Sequence, residues 1–328
     1  MRLDGTVSRV AGLALAATLL AGGALAQPAP VKLDLAASTT WWGHVPLMSA
    51  IDLGYFKDAG IEVELKNIGP SGDRMAAVTS GAVAFSNLGR IATINEMARG
   101  NQTFYYFANI DDSPGNEGCW ARPGFDSFAS LRGKKVAANT SAQITMNGLL
   151  ANAGMAEKDV QFLNLPAPEM AGAIAKGDVD AACVWEPLLS NVKKAAPGGK
   201  LLGMDTDTPI GKQFGTMAAP DIVIISKKVV DEKPEVAKKL VSAIFKGVDF
   251  TLKSPEKAAE TVAHYYRKPP EEVLEGMKTF KYFGQENWKE HMRLHTGQMQ
   301  VLAQWLFDNG KIPKLPDVKQ WENVSFVP

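Results

Sequence analysis

Apolar positions along this chain recur with two different periods, and the two alternate. Val31–Ser38 and Ile61–Ile68 carry an apolar residue at nearly every second position, the period of a half-buried strand. Between them, Pro46–Gly60 repeats its apolar residues every three or four positions, which predicts a helix closed by Gly60. The rhythm continues with a helix over Gly72–Gly81, a strand over Ala82–Gly89, a helix over Ile91–Gly100 and a strand over Thr103–Ile110. A middle block repeats it, with strands at Lys134–Asn139, Val160–Pro166 and Val179–Trp185 separated by helices at Ala142–Gly154 and Pro168–Asp178. A Gly-, Pro- and Thr-rich stretch, Pro197–Pro220, leads into a further strand over Asp221–Val230. From Lys233 onward the period is helical, and Pro234, Pro255 and Pro270 open three of the helices, as first-turn chemistry prefers.

Alternating strands and helices predict mainly parallel sheets covered by helices, an α/β fold. The strand-rich flanks bracket the middle block, so the natural arrangement is two α/β lobes with the second inserted in the first. The chain crosses between them at Asn109–Cys119 and Thr216–Ile222, both rich in turn residues. The length, 328 residues, suits two cores better than one.

The first 26 residues are read as no part of the fold. Arg2 and Arg9 precede a short apolar run ending in Ala24-Leu25-Ala26, the pattern of a secretory signal cleaved after Ala26. The mature protein is therefore expected to be exported and soluble. Charge is balanced, 35 basic against 35 acidic residues, which excludes the basic excess that nucleic-acid binding requires. Cys119 and Cys183 both sit in apolar, strand-like runs. They can bridge if those strands are neighbours, but the sequence reading favours two buried free thiols.

Catalytic patterns are scarce. No G-x-x-x-x-G-K-[ST], H-E-x-x-H or G-x-S-x-G occurs. His291 and His295 lie four apart on one predicted helix and read as a solvated face rather than a metal pair, so no metal and no cofactor are expected.

Binding is better served. In open α/β sheets ligands sit beyond the carboxyl ends of the strands. The predicted tips hold Trp41, Trp42 and His44; Ser71 and Gly72; Asn87 and Arg90; Thr140, Ser141 and Gln143; and Trp185 with Glu186. The turns at Ser71-Gly72 and Thr140-Ser141 feed helix N-termini, which favour an anion, although ordinary N-capping would use the same residues. Asp111, Asp112, Glu117, Glu186 and Asp221 gather at the tips and crossings, where a carboxylate can hold an ammonium and a nearby tryptophan can face a cation.

The stretches GYFKDAGIEVEL, SGAVAFSNLG, LRGKKVAANTSA, AIAKGDVDAACVWEP and WLFDNGKIP together resemble the nitrate/sulfonate/taurine family of periplasmic solute-binding proteins, over about Lys32–Pro313. That resemblance implies a type II periplasmic binding fold whose lobes close on a ligand and deliver it to the membrane permease of an ABC importer. It implies lobe one at 27–114 plus 219–328, lobe two at 115–218, a monomer and no catalysis. Some proteins of this fold are pyrimidine-synthesis enzymes that consume a histidine and carry a cysteine-rich segment, which two distant cysteines do not match. The family's Ser-Gly turn falls on Ser71-Gly72, its Asn-Leu-Gly turn on Asn87-Leu88-Gly89, its helix-start hydroxyls on Thr140-Ser141 and its Val-Trp-x-Pro tryptophan on Trp185. An Asp on the return crossing of taurine binders falls on Asp221. Arg90, Glu186 and the Trp41-Trp42-Gly43-His44 run depart from those binders. Two ligand readings follow: a small sulfonate or zwitterion, with its anionic end on Ser71-Gly72, Thr140-Ser141 and Arg90 and its amino end on Asp221 or Glu186, or a small cation such as guanidinium or another amine, boxed by Trp41, Trp42 and Trp185 with Glu117, Glu186 and Asp221.

Overall fold

In the computed structural model, which describes residues 1, 29–218 and 220–328, the strands sort into two five-stranded sheets and two short pairs. The signal segment lies outside the described residues. The first sheet runs, in spatial order, Leu65–Asn67, Leu35–Ala37, Phe85–Gly89, Asp221–Ser226 and Phe104–Ala108. Leu35–Ala37 pairs parallel to both neighbours, whereas Asp221–Ser226 runs antiparallel between Phe85–Gly89 and Phe104–Ala108. The second sheet runs Gln161–Asn164, Lys135–Ala138, Ala181–Trp185, Glu117–Ala121 and Lys200–Met204. Its first three strands are parallel, and Glu117–Ala121 is antiparallel to the two beside it. One sheet therefore draws on both flanks of the chain and the other on the middle alone, giving two α/β lobes.

Each sheet is covered on both faces. Fully buried strands such as Ile222–Ile225 read as continuous apolar runs because helices close both sides. Helices Val45–Asp52 and Pro234–Lys253 pack together over the first sheet, and Gly247 is required there: a Cβ would sit 2.2 Å from the Pro46 carbonyl oxygen. In the second lobe, helix Gln143–Asn152 packs through Met146, Leu149 and Leu150 on the face that bears Cys119 and Cys183, and Met170, Ile174, Leu189 and Val192 cover the other face.

Three local readings change. The predicted helix Pro46–Gly60 is two helices, Val45–Asp52 and Tyr55–Asp58, because Gly54 adopts φ 75°, a left-handed conformation that stops the first. The strand read over Asp221–Val230 ends at Ser226, and Lys227–Glu232 is helical. The Gly-, Pro- and Thr-rich stretch hides a strand, Lys200–Met204, and a helix, Pro209–Phe214, capped by the Thr208 hydroxyl, which accepts from the Gly211 amide. Cys119 and Cys183 lie directly opposite in adjacent antiparallel strands, Cα atoms 4.0 Å apart, and form a disulfide; the free-thiol reading fails because sequence alone does not fix the register that pairs them.

The lobes touch. Ile144 of the second lobe joins the core of the first, and Lys311, just beyond helix Trp288–Asp308, reaches Glu157 with Nζ–Oε1 2.7 Å. Among the described residues no helix is long and apolar enough to cross a membrane.

Candidate ligand-binding site

The two tryptophans after the first strand separate. A turn of 3₁₀ helix over Trp42–His44 points them in different directions. Trp42 is 5% exposed, stacks on Tyr266 with ring centroids 4.6 Å apart, and lies across Gly276, where a Cβ would come within 2.3 Å of the indole. The Tyr282 hydroxyl donates to its carbonyl. A ligand contact by Trp42 is thus replaced by core packing. Trp41 stays half-buried and points at the crossing: its indole Nε1 donates to Asp111 Oδ2 at 3.1 Å, and its ring meets Phe280 edge-on. Gly43 permits this, since a Cβ there would fall 2.0 Å from Asp111 Oδ2 and 2.5 Å from Trp41 Nε1.

Around Asp111 the first lobe assembles a buried polar cluster. Asn87 Nδ2 donates to Asp111 Oδ1 at 2.7 Å, while Asn87 Oδ1 is buried with no partner. His44 is fully buried: its Nδ1 lies 3.0 Å from both the amide and the carbonyl of Ser38, and its Nε2 lies 2.9 Å from the Asn87 carbonyl. Asp221, 7% exposed, places Oδ2 3.7 Å from His44 Nε2 and 3.9 Å from Arg74 Nη2, with no hydrogen-bond partner of its own. Asn109 ties the two crossings together, its Nδ2 donating to the carbonyls of both Asp111 and Asp221 at 2.9 Å. At the start of helix Ser71–Thr79, the Ser71 hydroxyl accepts from the Gly89 amide and from Arg74 Nη2. Ser71 Oγ and Asp221 Oδ1 flank the same face of Gly89, 3.2 and 3.7 Å from where a Cβ would lie, and Gly72 is exposed beside them.

The electrostatics follow from burial. Desolvation first, and then the Asp221 charge, push the Asp111 carboxyl up to about 8. Arg74 is buried and its pKa is lowered by desolvation, opposed by Asp221 and Asp111. Two carboxylates thus face one permanent cation.

The second-lobe rim is built differently. Glu117 is buried at the head of its strand, accepts from the Thr145 hydroxyl and is pushed up to about 8 by desolvation. Trp185 is its cross-strand partner, half-buried, with a buried indole N–H that has no partner. Glu186 is occupied: it accepts from the Ser190 amide at 2.9 Å and from Lys193 Nζ at 3.1 Å, so it serves its own helix start. Gln143 is also occupied, donating to Glu157 at 2.6 Å. Thr140 is exposed and Ser141 half-exposed in the turn leading into helix Gln143–Asn152.

Arg90 points away from the cleft. It is fully buried against helix Trp288–Asp308, where Nη1 donates to the His295 carbonyl and to Gln298 Oε1 at 2.6 Å, and desolvation lowers it to about 9. Gln298 in turn donates to the Met217 carbonyl on the return crossing, so Arg90 braces the crossing from behind. His295 is buried rather than solvated, and His291 stacks on Phe283. Among the described residues no group of three or more His, Cys, Asp or Glu is placed to hold a metal. Two surface grooves on the first lobe, of about 440 and 1070 Å³, contain none of these tip residues.

Of the sequence candidates, then, Trp41, His44, Ser71, Gly72, Asn87 and Asp221 come together, Glu117 and Trp185 share the second-lobe rim with Thr140 and Ser141, and Trp42, Arg90, Gln143 and Glu186 are committed elsewhere. Asp111, Asn109 and Arg74 complete the cluster and were not among the candidates; Asp111 alone carried a signal, an acid on a crossing.

Two α/β lobes joined by crossings, with polar strand tips and helix starts between them, define the periplasmic binding protein fold. The solved periplasmic aliphatic sulphonate binding protein of Escherichia coli superposes with a TM-score of 0.70 at 18% identity, covering 89% of this chain and 97% of that one. The sequence profile described as NMT1/THI5 like matches residues 41–258, and the chain belongs to that family. Relatives include a Brucella abortus protein named only as a candidate binding protein, 27% identical over 78% of this chain and 77% of its own length. The taurine-binding periplasmic protein of Escherichia coli is 25% identical over 84% of this chain and 87% of its own length.

Proposed function

We propose that this protein is the solute-capturing subunit of an ABC importer, that it closes on a small sulfonate or related zwitterion of the taurine type, and that it performs no catalysis. In this reading the signal is removed after Ala26, and the mature monomer works in the periplasm. Lobe one (27–114 and 219–328) and lobe two (115–218) close on the ligand and present it to a membrane permease. Family membership and the names of the relatives support the transport role.

The observation that carries the ligand class is the pairing at Gly89. A carboxylate, Asp221, and a helix start, Ser71-Gly72, sit side by side there. One suits an ammonium and the other an anion, and a short zwitterion has both. Thr140 and Ser141 would meet the anionic end from the second lobe. Calorimetric titration with taurine and with alkanesulfonates at neutral pH tests this. Taurine is expected to give heat and a thermal shift, and silence from all of them at millimolar concentration overturns it.

The acidity of the first-lobe cluster favours a second reading, a simple cation such as guanidinium or an alkylamine. Binding of ethylamine or guanidinium as tight as that of taurine would select it.

A further inference from the structure

We infer that Asp111, Asp221 and the side-chain carbonyl of Asn87 form a primary-ammonium subsite that carries one proton when empty and exchanges it for the ligand's ammonium group. The inference rests on the ligand's having an amine, as proposed above.

Three acceptors define the subsite. Asp111 is held from two sides, by Trp41 Nε1 and Asn87 Nδ2, so its carboxyl cannot turn away. Asn87 Oδ1 and Asp221 Oδ2 are buried and lack a hydrogen-bond partner, Asp221 Oδ2 having only His44 Nε2 at 3.7 Å and Arg74 Nη2 at 3.9 Å, an arrangement that costs free energy unless a donor arrives. Asn109 fixes the spacing by holding both aspartate backbones. A primary ammonium has three N–H donors and one positive charge, matching three acceptors and one uncompensated negative charge.

Every element packed here contributes charge. Helix Ser71–Thr79 brings Arg74, the guanidinium nearest Asp221, and Asp73, which is exposed and screened by solvent. The turn after the first strand brings His44, whose Nδ1 faces the backbone of Ser38 and whose Nε2 faces the Asn87 carbonyl and, at 3.7 Å, Asp221 Oδ2. The crossing brings Asp112, which accepts from the Ser113 and Met217 amides. Arg90, on helix Arg90–Ala98, faces Asp112 from the far side. Helix Pro255–Tyr266 and strand Lys281–Tyr282 bring Tyr266 and Tyr282, whose hydroxyls donate to the carbonyls of Trp41 and Trp42, and whose pKa values lie well above the ordinary range. With Asp112 set against Arg90, Asp111 and Asp221 share Arg74. One negative charge remains, and in the empty site a proton on Asp111, whose carboxyl is raised to about 8, neutralises it.

Carboxyl ¹³C NMR titration of the ligand-free protein tests the empty state. Asp111 is expected to titrate near pH 8 in the wild type and lower in Asp221→Asn. Both carboxyls ionised at pH 6 would overturn the inference and leave the sulfonate reading standing. Calorimetry in phosphate and in Bis-Tris, a tertiary amine, with taurine and with ethylamine as probes, tests the exchange. Close to one proton should be released per ligand at pH 6–7, and affinity should weaken about tenfold per pH unit below 8 as the proton competes. Asp111→Asn should abolish the release. Ethylamine releasing the proton while taurine stays silent would reject the sulfonate reading and keep this one. Binding without release, or no binding by either amine, overturns it.

Discussion

The strand tips of the two lobes spend their polar groups in opposite ways. On the second lobe, Glu186 is consumed by Ser190 and Lys193, Gln143 by Glu157, and buried Glu117 accepts from Thr145, leaving the small Thr140-Ser141 turn and an indole N–H. On the first lobe, the polar groups hold one another in place and still leave two buried oxygens, on Asn87 and Asp221, without partners. In the proposed reading, charge recognition belongs to the first lobe, and the second supplies neutral donors and closure. An acidic residue at a strand tip is informative only once its own helix start has been satisfied.

The comparison breaks most sharply at the aspartates. Asp221→Asn or Asp111→Asn should weaken taurine binding by about 30-fold or more, the scale for truncating one member of a buried charge pair. Glu186→Gln, equally acidic in sequence, should change it by less than about threefold, as for a partly exposed ion pair. Calorimetry on the three variants, with circular dichroism to check folding, decides. If Glu186→Gln costs as much as Asp221→Asn, the division between the rims is wrong.

Replacing Thr140 and Ser141 with alanine should cost about 2- to 10-fold in taurine affinity, the worth of one neutral hydrogen bond. The same pair of substitutions should leave the proton released on binding unchanged.

Stability has its own pH dependence. Asp111 and Glu117 keep a proton up to about 8, and Asp205 up to about 7, each mainly through desolvation, whereas unfolded carboxyls lose it near pH 4. Between those limits these carboxyls bind more protons folded than unfolded and outweigh His295 and His291, which desolvation lowers and which act the opposite way up to about pH 6.5, so the ligand-free protein loses stability as pH rises from about 4 to 8. Thermal melts at pH 5 and 8 should show the lower Tm at pH 8. Asp111→Asn should narrow the gap by about 2–4 °C for each kcal/mol of that linkage, which runs at about 1.4 kcal/mol per pH unit for one raised carboxyl. A Tm that rises over that interval would refute the burial assigned to these groups.

The smallest effect is expected at the Lys311–Glu157 contact. Lys311→Ala should speed ligand release by no more than about threefold, since a half-exposed ion pair is worth little. Stopped-flow dissociation measures it.

Much of this fold is written in periodicity, because two-sided burial leaves continuous apolar strands and amphipathic helices. Lys200–Met204 escaped, since flanking Pro and Gly mask a short edge strand that is mostly half-exposed. The disulfide escaped because it depends on register, a property of two distant segments. At the site, Ser71, Asn87 and Asp221 were legible because each falls at the tip of a predicted strand or its following helix. Asp111 was visible only as one acid among five. Arg74 reads as an ordinary position on a helix face until the loop Ile68–Ser71 folds back and takes its donors. The adjacent tryptophans carried one aromatic signal for two roles, and only the turn at Gly43 tells the residue that holds Asp111 from the core residue.

The central claim is that the first lobe reads a positive charge on the ligand. Its most direct test is one calorimetric comparison on the wild-type protein at pH 8: taurine against ethanesulfonate, which keeps the anion and lacks the amine. The account predicts that taurine binds at least about 30-fold more tightly, as expected when buried acceptors lose their cation. Equal affinities would contradict it.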